Sequence, residues 1–246
     1  MSYESLARWY DAFTADVPYA ELAAFYEKLL RREDKKTHTL LDICCGTGNL
    51  TLPLARRGYE LIGADRSSEM LSLAAEKIGV EGFPVPPLLL CQSAEELDLY
   101  GTVEGALCAL DGLNYLPPET LAAVFRRLHL FIEPGGVFAF DIHAPEHLRE
   151  LDGGVFVDET EEALCLWRGD FDAEENALVY GLDLFVRESE NGLWRRESEE
   201  HVQYAHAPEM LAAALERSGF TAVTILRDGP QADMGRLFFR AVNLPH

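Results

Sequence analysis

Positive charge is scarce in this sequence: 21 lysines and arginines stand against 42 aspartates and glutamates, a formal net charge of −21. A chain this acidic repels phosphate backbones and anionic headgroups, which argues against nucleic acid or a membrane surface as partner. Long apolar runs are missing too, none approaching the roughly 20 residues of a bilayer span. The opening residues, MSYESLARWYD, lack a basic stretch followed by an apolar core, so no secretory signal is expected and the expected compartment is cytoplasmic. Cysteine is sparse. The five stand at 44, 45, 91, 108 and 165 with no CxxC or HxxxH partner, which fits neither a disulfide framework nor a zinc pattern. Cys44 and Cys45 are neighbours, and neighbouring strand residues face opposite sides of a sheet, so the pair is poorly placed to grip one metal ion. No metal centre is expected. Small buried thiols in a reducing compartment are.

What is present is a rhythm. Apolar residues at helical spacing mark 3–31, broken near Pro18, with Asp16 the expected cap of the second stretch. Strand-like runs then follow at 38–44, 59–64, 87–91, 105–110 and 137–142, alternating with helical stretches at 49–57, 68–78 and 117–131. Such alternation implies βαβ units and a parallel sheet covered on both faces. From Val155 to Tyr204 the pattern changes to strand-like runs separated by EEN and ENG turns, an antiparallel meander. Charge shifts with it: residues 151–204 hold 15 acids and 4 bases, about half of the whole imbalance. A helix at 208–218 and strands at 220–227 and 236–243 close the chain. The expected organisation is a helical lid (1–36), an α/β core (37–150), an acidic β-insertion (151–204) and a segment completing the core (205–246).

The stretch LLDICCGTGNL, Leu40 to Leu50, carries the chemistry. A strand ending in Asp42, a glycine turn and a following helix make a nucleotide-binding loop, because glycine admits a ligand to the backbone and the helix start offers free N–H groups. A phosphate loop is excluded, since no GK[ST] follows. The dinucleotide pattern GxGxxG is incomplete, with Thr51 in its third glycine position.

Four stretches together, LLDICCGTGNL, LIGADRSSEML, CALDGLNYL and EPGGVFAFDI, resemble the class I, Rossmann-like S-adenosylmethionine-dependent methyltransferases. They occur in that family's order and spacing across most of residues 38–142. WYDAFTADVPYAEL further resembles a bacterial subgroup of small methyltransferases, kin to sugar-amine N-methyltransferases, that carries an antiparallel insertion after its fifth strand. The resemblance implies an α/β fold with a seven-stranded sheet flanked by helices, and S-adenosyl-L-methionine as cofactor. Asp42 would then orient the loop and receive the cofactor's α-ammonium, and Asp65 would accept the ribose hydroxyls. Cys44, Gly46 and Gly48 would line the turn, Cys44 standing where the family usually has glycine. Arg66, Ser93 and Ala94 would face the adenine, although the family has an apolar residue and an aspartate at the first two. Leu110 would pack on the sulfonium region, with Asp111 in an active-site wall or merely, with Asn114, in a turn.

Methyl transfer from a sulfonium needs alignment and dryness more than acid–base groups, so no triad is expected and none is present. Tyr10 and Tyr19 match aromatic positions in the subgroup's lid, which implies one near the transferred methyl and another near the cofactor carboxylate, Tyr10 as the catalytic candidate and Tyr19 as a cofactor-binding one, with lid packing as the alternative role. His143 follows the fifth strand, either as a general base or as a helix-entry residue. Trp9 fits the core better than a site. Trp167 and Trp194 lie in the insertion, for which a solvated acidic face with no further role is the first reading and an acceptor-pocket roof or a homodimer surface the alternatives. A small methyl acceptor, N- or O-directed, follows from the charge and the resemblance, with a cofactor-binding protein without transfer as the second reading.

Overall fold

A computed structural model describes residues 6–32, 35–188 and 192–245. The expected first-helix start at residue 3 and part of the ENG turn fall outside them. The chain forms two sheets. One has seven strands: β1 (Thr39–Ile43), β2 (Glu60–Asp65), β3 (Leu88–Cys91), β4 (Val103–Cys108), β5 (Ile132–His143), β10 (Phe220–Leu226) and β11 (Arg236–Asn243). Their order is β10-β11-β5-β4-β1-β2-β3, with β1 to β5 paired in parallel and β11 antiparallel to both neighbours. Chain direction across the sheet reverses between β1 and β4. In open parallel sheets that reversal opens a crevice at the strands' carboxyl ends, where ligands bind.

Alternation along β5 shows how the two faces are built. Phe138, Phe140 and Ile142 pack on one side with α5 (Pro118–Phe131) and α7 (Pro208–Arg217). Val137 and Ala139 face the other side, with α2 (Tyr19–Leu29) and α3 (Thr51–Arg56). A period of two in the sequence thus becomes two apolar layers. Helix α4 (Ser68–Glu81) lies along β2 and β3; Ser67 caps it by accepting the Met70 N–H at 3.2 Å.

The second sheet is the antiparallel meander of β6 (Val155–Glu159), β7 (Ala163–Asp172), β8 (Ala177–Arg187) and β9 (Trp194–Tyr204). Its inner face gathers Ala163, Cys165, Leu182 and Leu184 around Leu6, Trp9 and Phe13 of the N-terminal segment. Helix α1 (Ala7–Phe13) therefore packs on the insertion, and the Leu6 N–H reaches Glu199 Oε1 at 3.3 Å. Trp9 joins this core, as its composition foretold.

Several boundaries differ from expectation. Asp16 does not cap α2; Pro18 holds that position, and no side chain caps the helix. Helix α4 runs past Gly79 and stops at Gly82, whose φ of +66° suits a left-handed C-cap. Strand β5 starts at Ile132, which pairs with Val103 before the Glu-Pro-Gly-Gly stretch shifts the register to Gly105 and Val137. The short α6 (Pro145–Glu150) follows His143, the place the helix-entry reading of that residue implied, although the sequence pattern gave it no bounds. No helix among the described residues is long and apolar enough to cross a membrane.

Candidate cofactor site

Strand β1 delivers Asp42 to the crevice, and β2 delivers Asp65 beside it. Both line one cavity with the Cys44–Thr47 turn, Met70, the residues after β3, and Ala109 and Leu110 after β4. Asp42 is 2% exposed, and its Oδ2 accepts the Thr51 hydroxyl at 2.6 Å. Burial lifts its pKa to about 7, the Thr51 bond opposing and the Asp65 charge adding. Asp65 accepts the backbone N–H of Gly46 at 2.8 Å and of Ser67 at 2.9 Å, which ties the glycine turn to the start of α4. Burial raises its pKa as well, against those two bonds.

The turn needs glycine at two points for different reasons. Gly46 has φ +53° on the cavity wall. Gly48 has φ +77°, does not line the cavity, and backs onto α4, where a Cβ would sit 3.3 Å from Ala74 Cβ. Cys44 is left-handed without being glycine, at φ +56°.

The lid closes one side. Tyr10 on α1 and Tyr19 at the start of α2 both line the cavity, and burial raises both phenols above their ordinary pKa. Both phenols therefore stay protonated at neutral pH. A polar clamp fastens the lid. Asp11 Oδ1 accepts Thr47 Oγ1 at 2.6 Å and Asn49 Nδ2 at 2.8 Å, while Lys77 Nζ on α4 bonds Asp11 Oδ2 and Asn49 Oδ1, each at 2.6 Å.

The comparisons with known proteins agree. Residues 40–136 match the family model described as a methyltransferase domain. A Bacillus subtilis protein named as a methyltransferase, YqeM, is 30% identical over 98% of this chain and 97% of its own. The chain is an S-adenosylmethionine-dependent methyltransferase of class I. A methyltransferase of that kind from Clostridium acetobutylicum superposes with a TM-score of 0.81, 26% identity and 99% coverage of both chains. The sugar N-methyltransferase KedS8 from Streptoalloteichus shares the fold at TM-score 0.80 and 21% identity, over 96% of this chain and 93% of that one.

The methyltransferase's own residues fit its cofactor. Asp42 is a buried carboxylate that makes no ion pair among the described residues, a place ready for an ammonium. Asp65 keeps acceptor capacity beside it for hydroxyls. Leu50, Met70, Leu110 and Leu116 supply apolar walls. Arg66, Ser93 and Ala94 line the cavity near the end of β3, with Gln92 and Glu95, which the sequence did not single out.

Besides Gly48, two more expected site residues of the methyltransferase lie off the cavity. Asp111 does not line the cavity; its carboxylate accepts Arg236 Nη1 at 3.1 Å and Gln203 Nε2 at 2.8 Å. His143 does not line it either. Its Nε2 lies 3.3 Å from Asp111 Oδ1, its ring stacks on His147 at 5.0 Å, and burial lowers its pKa. Asn114 is structural, donating to Tyr204 O at 2.9 Å and accepting the His143 N–H at 3.0 Å. Asp141 accepts from Tyr26 and Arg236 and lies under the loop after β4. Nothing local marks these partners, since Arg236 and Asp111 are 125 positions apart. Tyr115, also on the cavity wall, lies in the CALDGLNYL stretch, where nothing in the local pattern marks it for the site.

Proposed function

We propose that this methyltransferase acts on a small molecule bearing an amine or hydroxyl nucleophile, and not on nucleic acid. The observation that carries the reading is the placement of α1. That helix sits between the cofactor cavity, through Tyr10, and the acidic insertion, through Leu6, Trp9 and Phe13. A roofed, acidic approach suits a compact neutral or cationic acceptor and repels a polyanion.

S-adenosylmethionine supplies an electrophilic methyl group; the chain supplies placement. In this reading Asp42 holds the α-ammonium, Asp65 the ribose hydroxyls, and Ser93, Ala94 and Arg66 the adenine side. Cys44 and Gly46 shape the turn, Tyr19 closes over the methionine end, and Tyr10 with Leu110 walls the reacting centre and excludes water. His143 is left out of this set because it does not reach the cavity. A homodimer through the insertion forms no part of the proposal.

The test uses radiolabelled cofactor with fractionated cell extract. Label in the small-molecule fraction, lost in Asp65→Ala, is the expected result. Label chiefly in RNA or DNA would refute the reading.

A further inference from the structure

The neighbouring thiols of the glycine turn part company in the fold. Cys45 turns toward β2, its sulfur 3.0 Å from where a Cβ on Gly63 would sit. Cys44 turns toward β4. A Cβ placed on Gly112 would lie 3.0 Å from Cys44 Cβ, 3.6 Å from Cys44 Sγ and 2.7 Å from Cys108 Sγ. Two sulfurs, one from the turn after β1 and one from the end of β4, therefore flank one glycine, and only a residue without a side chain fits between them.

Backbone register brings the two residues side by side. Asp42 pairs with Leu107 in the parallel β1–β4 ladder, so the turn that follows β1 with Cys44 lies against the end of β4 with Cys108. Cys44 stands on the cavity wall, and Cys108 is fully buried behind it. The hydrogen bond with Cys44 and burial push the Cys108 thiol up, so Cys44 is the sulfur that meets an oxidant first.

We propose that Cys44 and Cys108 form a peroxide-sensitive dithiol whose oxidation closes the cofactor site. Hydrogen peroxide is the oxidant. The Cys44 sulfur attacks one peroxide oxygen, the O–O bond breaks, and a sulfenic acid and one water result. The Cys108 sulfur then attacks Cys44 Sγ; the S–S bond forms as the S–O bond breaks, and the oxygen leaves as a second water with the thiol's proton. The dithiol loses two electrons in all, and peroxide takes them up. Drawing Cys44 Sγ to bonding distance of β4 shifts the turn that connects Asp42 to Gly46, and Gly46 carries the N–H that holds Asp65. The inference takes the cavity as the cofactor site.

The experiment treats the reduced full-length protein with hydrogen peroxide and reads two things: a non-reducing peptide map and S-adenosylhomocysteine affinity. Expected are a Cys44–Cys108 linked peptide and an affinity about tenfold weaker, as when about a tenth of molecules keep a competent turn. Dithiothreitol restores both, and preloading with S-adenosylhomocysteine slows the cross-link. Cys108→Ala keeps reduced-state affinity and loses the peroxide response; Cys108→Ser serves if the alanine variant does not fold. No linked peptide, a linked peptide with unchanged affinity, or a peroxide response that persists in both variants would each overturn the proposal. Absence of binding by the untreated protein would instead refute the site assignment, which the peptide map does not depend on.

Discussion

The Asp141 carboxylate accepts the backbone N–H of Asp111 at 3.0 Å. Its other oxygen accepts the N–H of Leu110 at 3.0 Å, and these two residues are consecutive left-handed positions, φ +55° and +54°. Strand β5 thus fixes a strained turn at the end of β4, and Leu110 on that turn faces the cofactor cavity. Arg236, 6% exposed, neutralises the pair of acids beneath.

Asp141→Asn should therefore cost the fold heavily. It leaves Arg236 with one carboxylate fewer in a dry place, and breaking such a buried pair costs about 3–5 kcal/mol. Urea unfolding of the two proteins measures it. A loss below about 1 kcal/mol, the worth of an exposed pair, would show that Arg236 finds another counter-ion.

Asp65→Ala should weaken S-adenosylmethionine binding by about 1.5–3 kcal/mol, the worth of hydrogen bonds to a charged group. The same change frees the Gly46 and Ser67 amides it now holds. Titration calorimetry decides, and equal affinities would remove Asp65 from the ribose subsite.

Asp42→Asn should move stability and binding in opposite directions. With its folded pKa raised to about 7, Asp42 contributes stability that is fully present below its unfolded value near 4 and is lost as pH rises through about 7. Asparagine still accepts the Thr51 bond and cannot ionise. The variant should be more stable than wild type at pH 8, on the order of 2 kcal/mol, with a flatter profile between pH 4 and 7. Its cofactor affinity should fall about tenfold, since an ammonium loses its charged acceptor. Thermal melts across pH and calorimetry give both numbers; parallel pH profiles would show that Asp42 ionises freely.

Asp11→Asn should loosen the lid without unfolding the protein. Its partner is only part-buried: the Lys77 side chain is 27% exposed and that of Asp11 40%, so the ion pair is worth about 0.5–1 kcal/mol. Cofactor affinity should drop about two- to fivefold at low salt, and the gap to wild type should narrow at high salt. A gap that ignores salt would mean the Thr47 and Asn49 bonds, not the ion pair, hold the lid.

Elements and site differ in how legibly they were written. The βαβ order was legible because short apolar runs alternate with stretches of helical spacing, and β11 begins and ends where the pattern says, at Arg236 and Asn243. The places of Asp42 and Asp65 on the cavity wall were legible because each stands at the carboxyl end of its strand. Asp141 lies in the quoted EPGGVFAFDI stretch, yet its role depends on Arg236, and no local pattern links residues 95 positions apart. His143 sits at the expected end of the sheet, but the side chain turns to Asp111, an orientation that sequence position does not fix. The clamp of Asp11 and Lys77 was illegible for the same reason, 66 positions of chain separating its two charges.

The core that joins α1 to the insertion has a consequence for anyone redesigning the protein. Leu6, Trp9 and Phe13 pack against Cys165, Leu182 and Leu184, while Tyr10, one residue after Trp9, faces the cofactor cavity. Exchange of residues 151–204 with a relative's meander would present α1 with a foreign surface and tilt Tyr10 with it. A graft that aims to alter acceptor choice must carry residues 6–13 along as part of the same module, or it will change cofactor affinity before it changes specificity.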